Sequence, residues 1–435
     1  MRVVLATHSF RNVAGSETYL LTVAEHLQRL GHEVTIHAVE TGAMSDLAIA
    51  RGIPVAGSEA DLPAACDVVL AQDAGMAYAL AERYPTVPQA LRAPSELHDV
   101  QLPPMVPGTT RVVIVVSDRV EQRIRALDPE YPVVRLRHPI DTERLMPLGA
   151  PHAPPRRALI LGNYLQEQRR RLLDETWGAA GIEIRVVGDR GTPELEPAAE
   201  IAAADIVVGK GRAILDAMSC ARPAYVFDDF GTDGWVTPEA YPAMEADGFA
   251  GQALDRSTSR EQLQRDLEAY DPVMGVANRD LVLTRHKARD HAHELVAVFR
   301  SLAPLAEPVS TPGGELARNV RLRWAADREL SGLRTWHGDL IDRFHAAEAR
   351  AAEAASRADA AQSRAEAAAT HAAQETERVA AAHAAATRAE QRADLAEREA
   401  HDARVRLDEV LGQRRVRAGI VAGRVADRLR RVAGR

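Results

Sequence analysis

Cysteine is almost missing from the 435 residues: Cys66 and Cys220 stand 154 positions apart. That excludes a disulfide framework and fits a reducing compartment. Lysine is nearly as scarce, with Lys210 and Lys287 set against 52 arginines, which makes the surroundings of Lys210 worth following. No apolar run reaches the roughly 18 residues of a membrane span, and the opening run is too short for a signal peptide and reads as a buried strand. These absences together point to the cytoplasm. A global excess of positive charge is also lacking, because the net charge is −8, so no overall field draws the chain to nucleic acid. The balance is uneven: residues 412–435 carry eight Arg and one Asp, or +7, leaving −15 for the rest. What is present is a 46% hydrophobic content, enough to bury two or three cores, which excludes a peptide, a collagen or a disordered tail.

Over residues 1–150 short aliphatic blocks (3–6, 33–37, 68–71, 112–116) alternate with amphipathic stretches such as 18–30, where Leu20, Leu21, Val23, Ala24, Leu27 and Leu30 share one face. Strands that are solidly apolar, alternating with helices, predict a parallel sheet covered on both faces. A proline-rich seam at 147–155 interrupts the pattern, which restarts with blocks at 158–161, 182–187, 205–208 and 224–227. The predicted architecture is α/β, with two Rossmann-like domains at 1–150 and 151–270. A closing helix at 271–300 follows, then a linker at 301–314 marked by its Pro and Gly content.

A different composition begins beyond that linker. Residues 315–411 are predicted helical, and 339–411 contain no Gly or Pro, enough for about 110 Å of helix. Within 346–400, 26 of 55 residues are Ala, so the stretch is either a thin coiled coil that self-associates or a solvated spacer helix. The last segment, 412–435, places Val416, Ile420, Val421, Val425, Leu429 and Val432 along one side and arginines elsewhere. Such a basic amphipathic helix suits an anionic membrane surface, or else an Arg-rich helix end or bundle partner.

Two turns carry residues fit for chemistry. The first follows the opening strand, from Thr7 through His8, Ser9, Phe10, Arg11 and Gly15 to a helix starting near Ser16. In open α/β sheets ligands sit beyond the carboxyl ends of the strands, against helix N-termini that favour anions. The glycine spacing is not that of a dinucleotide fingerprint, which excludes an NAD site there. The second turn joins a strand ending at Val208 to a helix through Met218, by way of Gly209, Lys210, Gly211 and Arg212. Glycines let backbone amides approach phosphate oxygens while the cations neutralise them. The Gly-Lys-Ser/Thr ending of a Walker loop is missing. Asp216, one helical turn on, is placed either to accept from sugar hydroxyls or as a plain helix-face acid.

Together these segments resemble the family-4-like glycosyltransferases of the two-domain GT-B fold, over roughly residues 1–300. The strand and glycine turn of residues 2–18 look like that family's opening. The stretch 115–120 leading to His138-Pro139-Ile140-Asp141 is similar to its domain-closing signature, and 209–223 to its donor-site helix. Residues 231–239, with Gly231 and Gly234, resemble a bacterial branch acting on surface polysaccharides. The resemblance implies a nucleotide-sugar donor held mainly by the second domain, a glycan acceptor held by the first, transfer without a metal or other cofactor, and retention at the anomeric carbon. It places Gly15 against the diphosphate, with Lys210, Arg212, and Arg169 or Arg170 as the second-domain cations, since the leaving diphosphate needs positive charge and amide dipoles. It gives His98 a catalytic place near the donor sugar beside Asp216, and sets His8 and Arg11 on the acceptor side. The chain departs from the family at its paired glutamates, which become Val208 and Asp216. It departs again where the family's Arg and Lys map near Asn163 and Gln168, with Arg169 adjacent.

Asp228-Asp229 reads more simply as a turn or donor-loop wall than as a metal site, and His286, His291 and His293 lack a clean i,i+4 pair. The expected protein is a cytoplasmic glycosyltransferase, peripheral at the inner face of the plasma membrane through 412–435 and self-associating through 339–411. No nucleic acid partner is expected. The rival expectations are a catalytically degenerate GT-B scaffold working through its coiled coil, and a nucleotide-sugar epimerase or hydrolase.

Overall fold

A computed structural model describes residues 1–95, 99–104, 106, 108–127, 131–162, 165–188, 194–229, 231–308, 313–371, 387–388 and 390–407. Residues Met1–Leu330 form one compact unit. Its first domain holds seven strands: β1 (Arg2–Phe10), β2 (Glu33–Thr41), β3 (Val55–Ala56), β4 (Val68–Ala71), β5 (Gln89–Arg92), β6 (Val112–Val115) and β7 (Val133–Arg135). They are ordered β3-β2-β1-β4-β5-β6-β7 and every pairing is parallel. The helices are α1 (Gly15–Arg29), α2 (Ala43–Ala50), α3 (Ala74–Arg83) and α4 (Asp118–Leu127). The solid aliphatic blocks are explained by burial on both faces. Val3 and Leu5 enter one core layer with Leu20, Leu27 and Ile36, while Val4 and Ala6 enter the other with Val69, Leu91 and Val113. Strand order reverses at β1 and β4, which opens a crevice at their carboxyl ends.

The second domain has β8 (Arg157–Leu161), β9 (Glu183–Val187), β10 (Ile206–Gly209), β11 (Ala224–Asp228) and β12 (Gly231–Trp235), ordered β12-β11-β10-β8-β9. All pairs are parallel except β11 with β12. Its helices are α5 (Glu167–Leu173), α6 (Ala198–Ala203), α7 (Arg212–Ser219), α8 (Tyr241–Asp247) and α9 (Arg260–Glu268). This small domain fills its core with aromatics: Trp177 stacks on Trp235 at 6.1 Å and meets Tyr225 edge-on at 5.0 Å. Their polar handles are satisfied, because Trp177 Nε1 donates to the Leu263 carbonyl and the Tyr225 hydroxyl to Asp266.

The closing segment is two helices, α10 (Val273–Arg285) and α11 (Ala288–Ser301), broken at His286-Lys287. The break serves both domains. α10 packs on α7 of the second, whereas Ala292, Leu295, Val296 and Phe299 of α11 complete the core of the first. Backbone bonds between Ile140 and the break join α10–α11 to the interdomain linker, Ile140 N donating to His286 O and Ala288 N to Ile140 O.

The helical extension begins as α12 (Gly313–His371). Its opening turns belong to the compact unit, where Ala317 is buried with Ala74, Tyr78 and Ala79 of the first domain. Residues 331–435 are a second unit. Within it the helix runs on to His371, residues 390–407 are helical again, and the Arg404 guanidinium lies 5.4 Å over the Phe344 ring. The basic tail 412–435 and residues 372–386 of the Ala-rich stretch lie outside the described residues. No helix among the described residues is long and apolar enough to cross a membrane.

Candidate active site

Parallel strands bring all their carboxyl ends to one edge, and the helices that follow start there with unpaired amides. On the first domain β1 remains strand as far as Phe10, past the turn expected from Thr7, because Ser9 and Phe10 still pair with Glu40 and Thr41 of β2. His8 is therefore held rigidly. Its amide donates to Asp73 Oδ2 at 2.8 Å, its Nε2 is 3.7 Å from Glu40, and its ring faces the Trp324 indole of α12 at 5.3 Å. Burial lowers the His8 pKa, with Glu40 acting in the opposite direction. Asp73 caps α3 through the Met76 amide, and burial pushes its carboxyl up to about 6. Arg328 of α12 pairs with Glu40 at 2.9 Å, so the start of the extension lies against the carboxyl ends of β1 and β2. A cavity of about 240 Å³ opens beside it, lined by His37, Val39, Ser58, Met76 and Arg321 among others. Arg11 is exposed, and its carbonyl accepts from the Met44 amide.

Gly15 is the first residue of α1, and a Cβ built there meets nothing within 4 Å. Its smallness is not required by packing. The adjacent Ser16 hydroxyl donates to Glu17 at 2.6 Å, and burial raises the Glu17 carboxyl pKa.

On the second domain the turn between β10 and α7 is tightly specified. A Cβ at Gly209 would lie 2.7 Å from the Leu161 carbonyl oxygen of β8, and Gly211 has φ +56°, so both positions need glycine. Lys210 makes an ion pair with Asp228 at the end of β11. Arg212 is nearly buried. Its guanidinium donates to the Pro139 carbonyl at 3.1 Å and to the Thr22 hydroxyl of α1 at 3.4 Å, crossing between domains, and lies 3.4 Å from Asp216. Asp216 is buried, which raises its carboxyl pKa, with Arg212 opposing. Val208 is wholly buried in β10.

Arg169 donates to the Asp229 carbonyl at 3.3 Å and lies over the Phe227 ring, while Arg170 pairs with Glu167 at 2.8 Å. Arg170 also borders a small cleft of about 80 Å³ with Gly162, Leu165 and Val186. Asp228 holds Lys210, and Asp229 accepts from the Gln166 amide at 3.1 Å. Among the described residues no group of three or more His, Cys, Asp or Glu is arranged to hold a metal ion. Gly231 and Gly234 belong to β12, where Gly231 abuts the Gly251 carbonyl and Gly234, at φ +77°, abuts Arg256. The structure thus gathers Gly209–Arg212 and Asp216 at one turn, with Lys210 and Arg169 at Asp228 and Asp229. His98 lies outside the described residues.

Sequence reasoning overlooked Arg92. It ends β5, is 2% exposed, and stacks on the Tyr19 ring of α1 with Cζ at 4.2 Å from the centroid. The Tyr19 hydroxyl in turn meets His291 Nε2 at 2.9 Å, and the ring edge-packs on His138. An arginine closing a fully buried four-residue strand is what the structure shows there, and Gln89 at its start leaves the sequence with little signal. Trp324 was likewise hidden, inside a segment notable only for helix propensity.

The two domains touch beside these turns. Arg119 pairs with Asp247 at 2.8 Å, Arg135 with Glu245 at 2.7 Å, and a Cβ at Gly248 would lie 3.2 Å from that of Ser117. No protein-family model matches the chain, and no curated protein sequence matches it. Solved structures do. The glycosyltransferase from Rickettsia africae is similar at TM-score 0.51 and 12% identity, covering 69% of this chain and 98% of its own. The Anabaena protein HepE, crystallised in complex with UDP and glucose, is similar at TM-score 0.50 and 12% identity, covering 69% and 100%. Two Rossmann-like domains with facing strand ends, a clasp that returns α11 to the first domain, and this likeness establish that the chain has the GT-B fold.

Proposed function

We propose that this protein is a glycosyltransferase that moves a sugar from a nucleotide-sugar donor to a cell-surface glycan or its lipid-linked precursor, without a metal and with retention at the anomeric carbon. The observation that carries this is the meeting of two helices that each open at a glycine turn, α1 at an unobstructed Gly15 and α7 at Gly211 and Arg212, with Arg212 reaching across the domains to Thr22 two turns into α1. Two positive helix ends favour a diphosphate between them. As the bond from the anomeric carbon to the diphosphate oxygen breaks, the electron pair leaves with that oxygen, and amides and guanidinium stabilise the charge. The acceptor oxygen then forms the new bond, and its proton passes to the departing phosphate. In this reading the second domain holds the donor, and His8, Arg11 and the start of α12 border the acceptor. Asp216 steadies Arg212 and receives donor hydroxyls. The likeness to HepE, a protein seen with UDP and glucose, is consistent with it.

The test is thermal unfolding against UDP, GDP, dTDP and their sugar conjugates. A ligand at 100 times its dissociation constant adds about 2.7 kcal/mol, and a shift selective for one base supports a donor site. No shift with any of them overturns the proposal. It would leave the non-catalytic scaffold, which has one observation in its favour: Val208 replaces the family's first acid and is sealed in the core. As partners we infer self-association through 339–411 and docking of 412–435 on an anionic inner membrane face.

A further inference from the structure

Arg92 is a buried cation that makes no ion pair among the described residues. Its Nε and Nη1 donate to no partner, and no carboxylate lies within ion-pair distance among the described residues. Buried arginines are ordinarily paired, because removing an ion from water costs several kcal/mol. The stack on Tyr19 returns only part of that cost. Burial accordingly holds the guanidinium pKa down at about 10, with Arg212 depressing it further and Tyr19 and Glu17 opposing. The deficit has a location. Tyr19 is in the second turn of α1, Arg212 opens α7, and Arg212 reaches Thr22 of that same α1. Arg92 therefore lies against the second turn of α1, within electrostatic reach of Glu17 in the first turn of that helix and of Arg212, which opens α7.

We propose that Arg92 is a first-domain anion-binding residue, holding the diphosphate of the donor and of the nucleoside diphosphate that leaves. This rests on the glycosyltransferase reading for the identity of the anion, though not for its existence. A guanidinium already desolvated, held in place by the Tyr19 ring and with no carboxylate at ion-pair distance among the described residues, loses little in binding phosphate oxygens and gains a charge-assisted, bidentate contact.

The experiment is thermal unfolding and titration of the full chain and its Arg92→Met and Arg92→Lys variants, with inorganic pyrophosphate and with UDP, GDP and dTDP. Arg92→Met should unfold at a higher temperature than the wild type without ligand, since it removes an uncompensated charge. It should also bind pyrophosphate and the preferred nucleotide at least about tenfold more weakly. Lysine should fall between the two. A Met variant that is less stable without ligand and keeps wild-type affinity overturns the proposal, making Arg92 a packing residue. Where the Met variant does not fold, unaltered affinity in Arg92→Lys overturns it equally. Nucleotide binding that ignores Arg92 sinks this inference and leaves the donor site standing. Arg92-dependent pyrophosphate binding without any nucleotide preference does the reverse, and absence of all binding removes both.

Discussion

Adding one methyl group at Gly15 separates a ligand contact from a packing contact. A Cβ at Gly15 meets nothing within 4 Å, so Gly15→Ala introduces no clash. By restricting the unfolded chain it should stabilise by up to about 0.4–1 kcal/mol. The same substitution at Gly209 places the methyl 2.7 Å from the Leu161 carbonyl oxygen. β10 must then move off β8, at the roughly 1–3 kcal/mol typical of overpacking. A diphosphate seated on the α1 amides needs the space that alanine would fill. Losing one hydrogen bond to a charged group costs about 1.5–3 kcal/mol, or roughly 10- to 100-fold in affinity. Urea unfolding read by fluorescence gives the stability of each variant, and titration with the preferred nucleoside diphosphate gives the affinity. The expected pattern is a stable Gly15→Ala that binds poorly and a destabilised Gly209→Ala. Wild-type affinity in Gly15→Ala would refute the placement of the diphosphate, and a stability loss above about 1 kcal/mol would refute the claim that the position is open.

Acid should loosen the clasp between the domains. His286 and His291 each donate from Nδ1 to a linker carbonyl and accept at Nε2 from a tyrosine hydroxyl, and burial holds their pKa values down at about 4 and about 3. Because these folded values lie below the unfolded one, their contribution is full above about pH 6.5 and is lost as pH falls toward 4. The urea midpoint should drop by several kcal/mol equivalent across that window, and a flat profile would count against the neutral-histidine network. Asp216→Ala leaves Arg212, 3.4 Å away, without its carboxylate; the cost should be about 3–5 kcal/mol by urea unfolding, with Asp216→Asn milder. Deleting 412–435, which carries +7, should abolish salt-sensitive binding to phosphatidylserine vesicles, and binding that survives the deletion rules the tail out as the anchor.

How far the sequence revealed the fold depended on where each strand sits. Val68–Ala71 and Val112–Val115 are buried at every position, so their composition alone marks them as central parallel strands. The strand Gly231–Trp235 escaped notice because it is an antiparallel edge with two glycines and an aspartate. Asp233 is nonetheless fully buried, its carboxylate accepting from the Leu254 amide at 2.8 Å. Glycine there marks close backbone approach, which a single sequence does not distinguish from a loop. The break between α10 and α11 was hidden for a similar reason. His286 and Lys287 are ordinary helix residues, and the helix breaks where the His286 carbonyl and the Ala288 amide bond instead to Ile140 of the linker. The glycine turn at 209–212 was legible because Gly209 and Gly211 are local requirements. The partners of its charges were not, since pairing Lys210 with Asp228 depends on β10 lying beside β11 in register.

Those hidden partners decide which cation is free to act. Releasing Lys210 for a phosphate would strand Asp228, whose side chain is 4% exposed, and an unpaired buried carboxylate costs several kcal/mol. The ammonium has three donors, so it can keep Asp228 and still offer one to a ligand oxygen. Arg212 is tied to the Pro139 carbonyl, Thr22 and Asp216, and moving it would also undo an interdomain bond. Both therefore act best as fixed charges that do not travel to the ligand. Among the described residues Arg92 has no such tether, so an anion brought against it lowers its energy outright. A first-domain arginine that is costly until the diphosphate arrives would also favour the closed arrangement of the domains with donor bound over the same arrangement without it. That coupling is testable, because the rise in unfolding temperature caused by the nucleotide should shrink in Arg92→Met by more than its affinity loss for pyrophosphate alone accounts for.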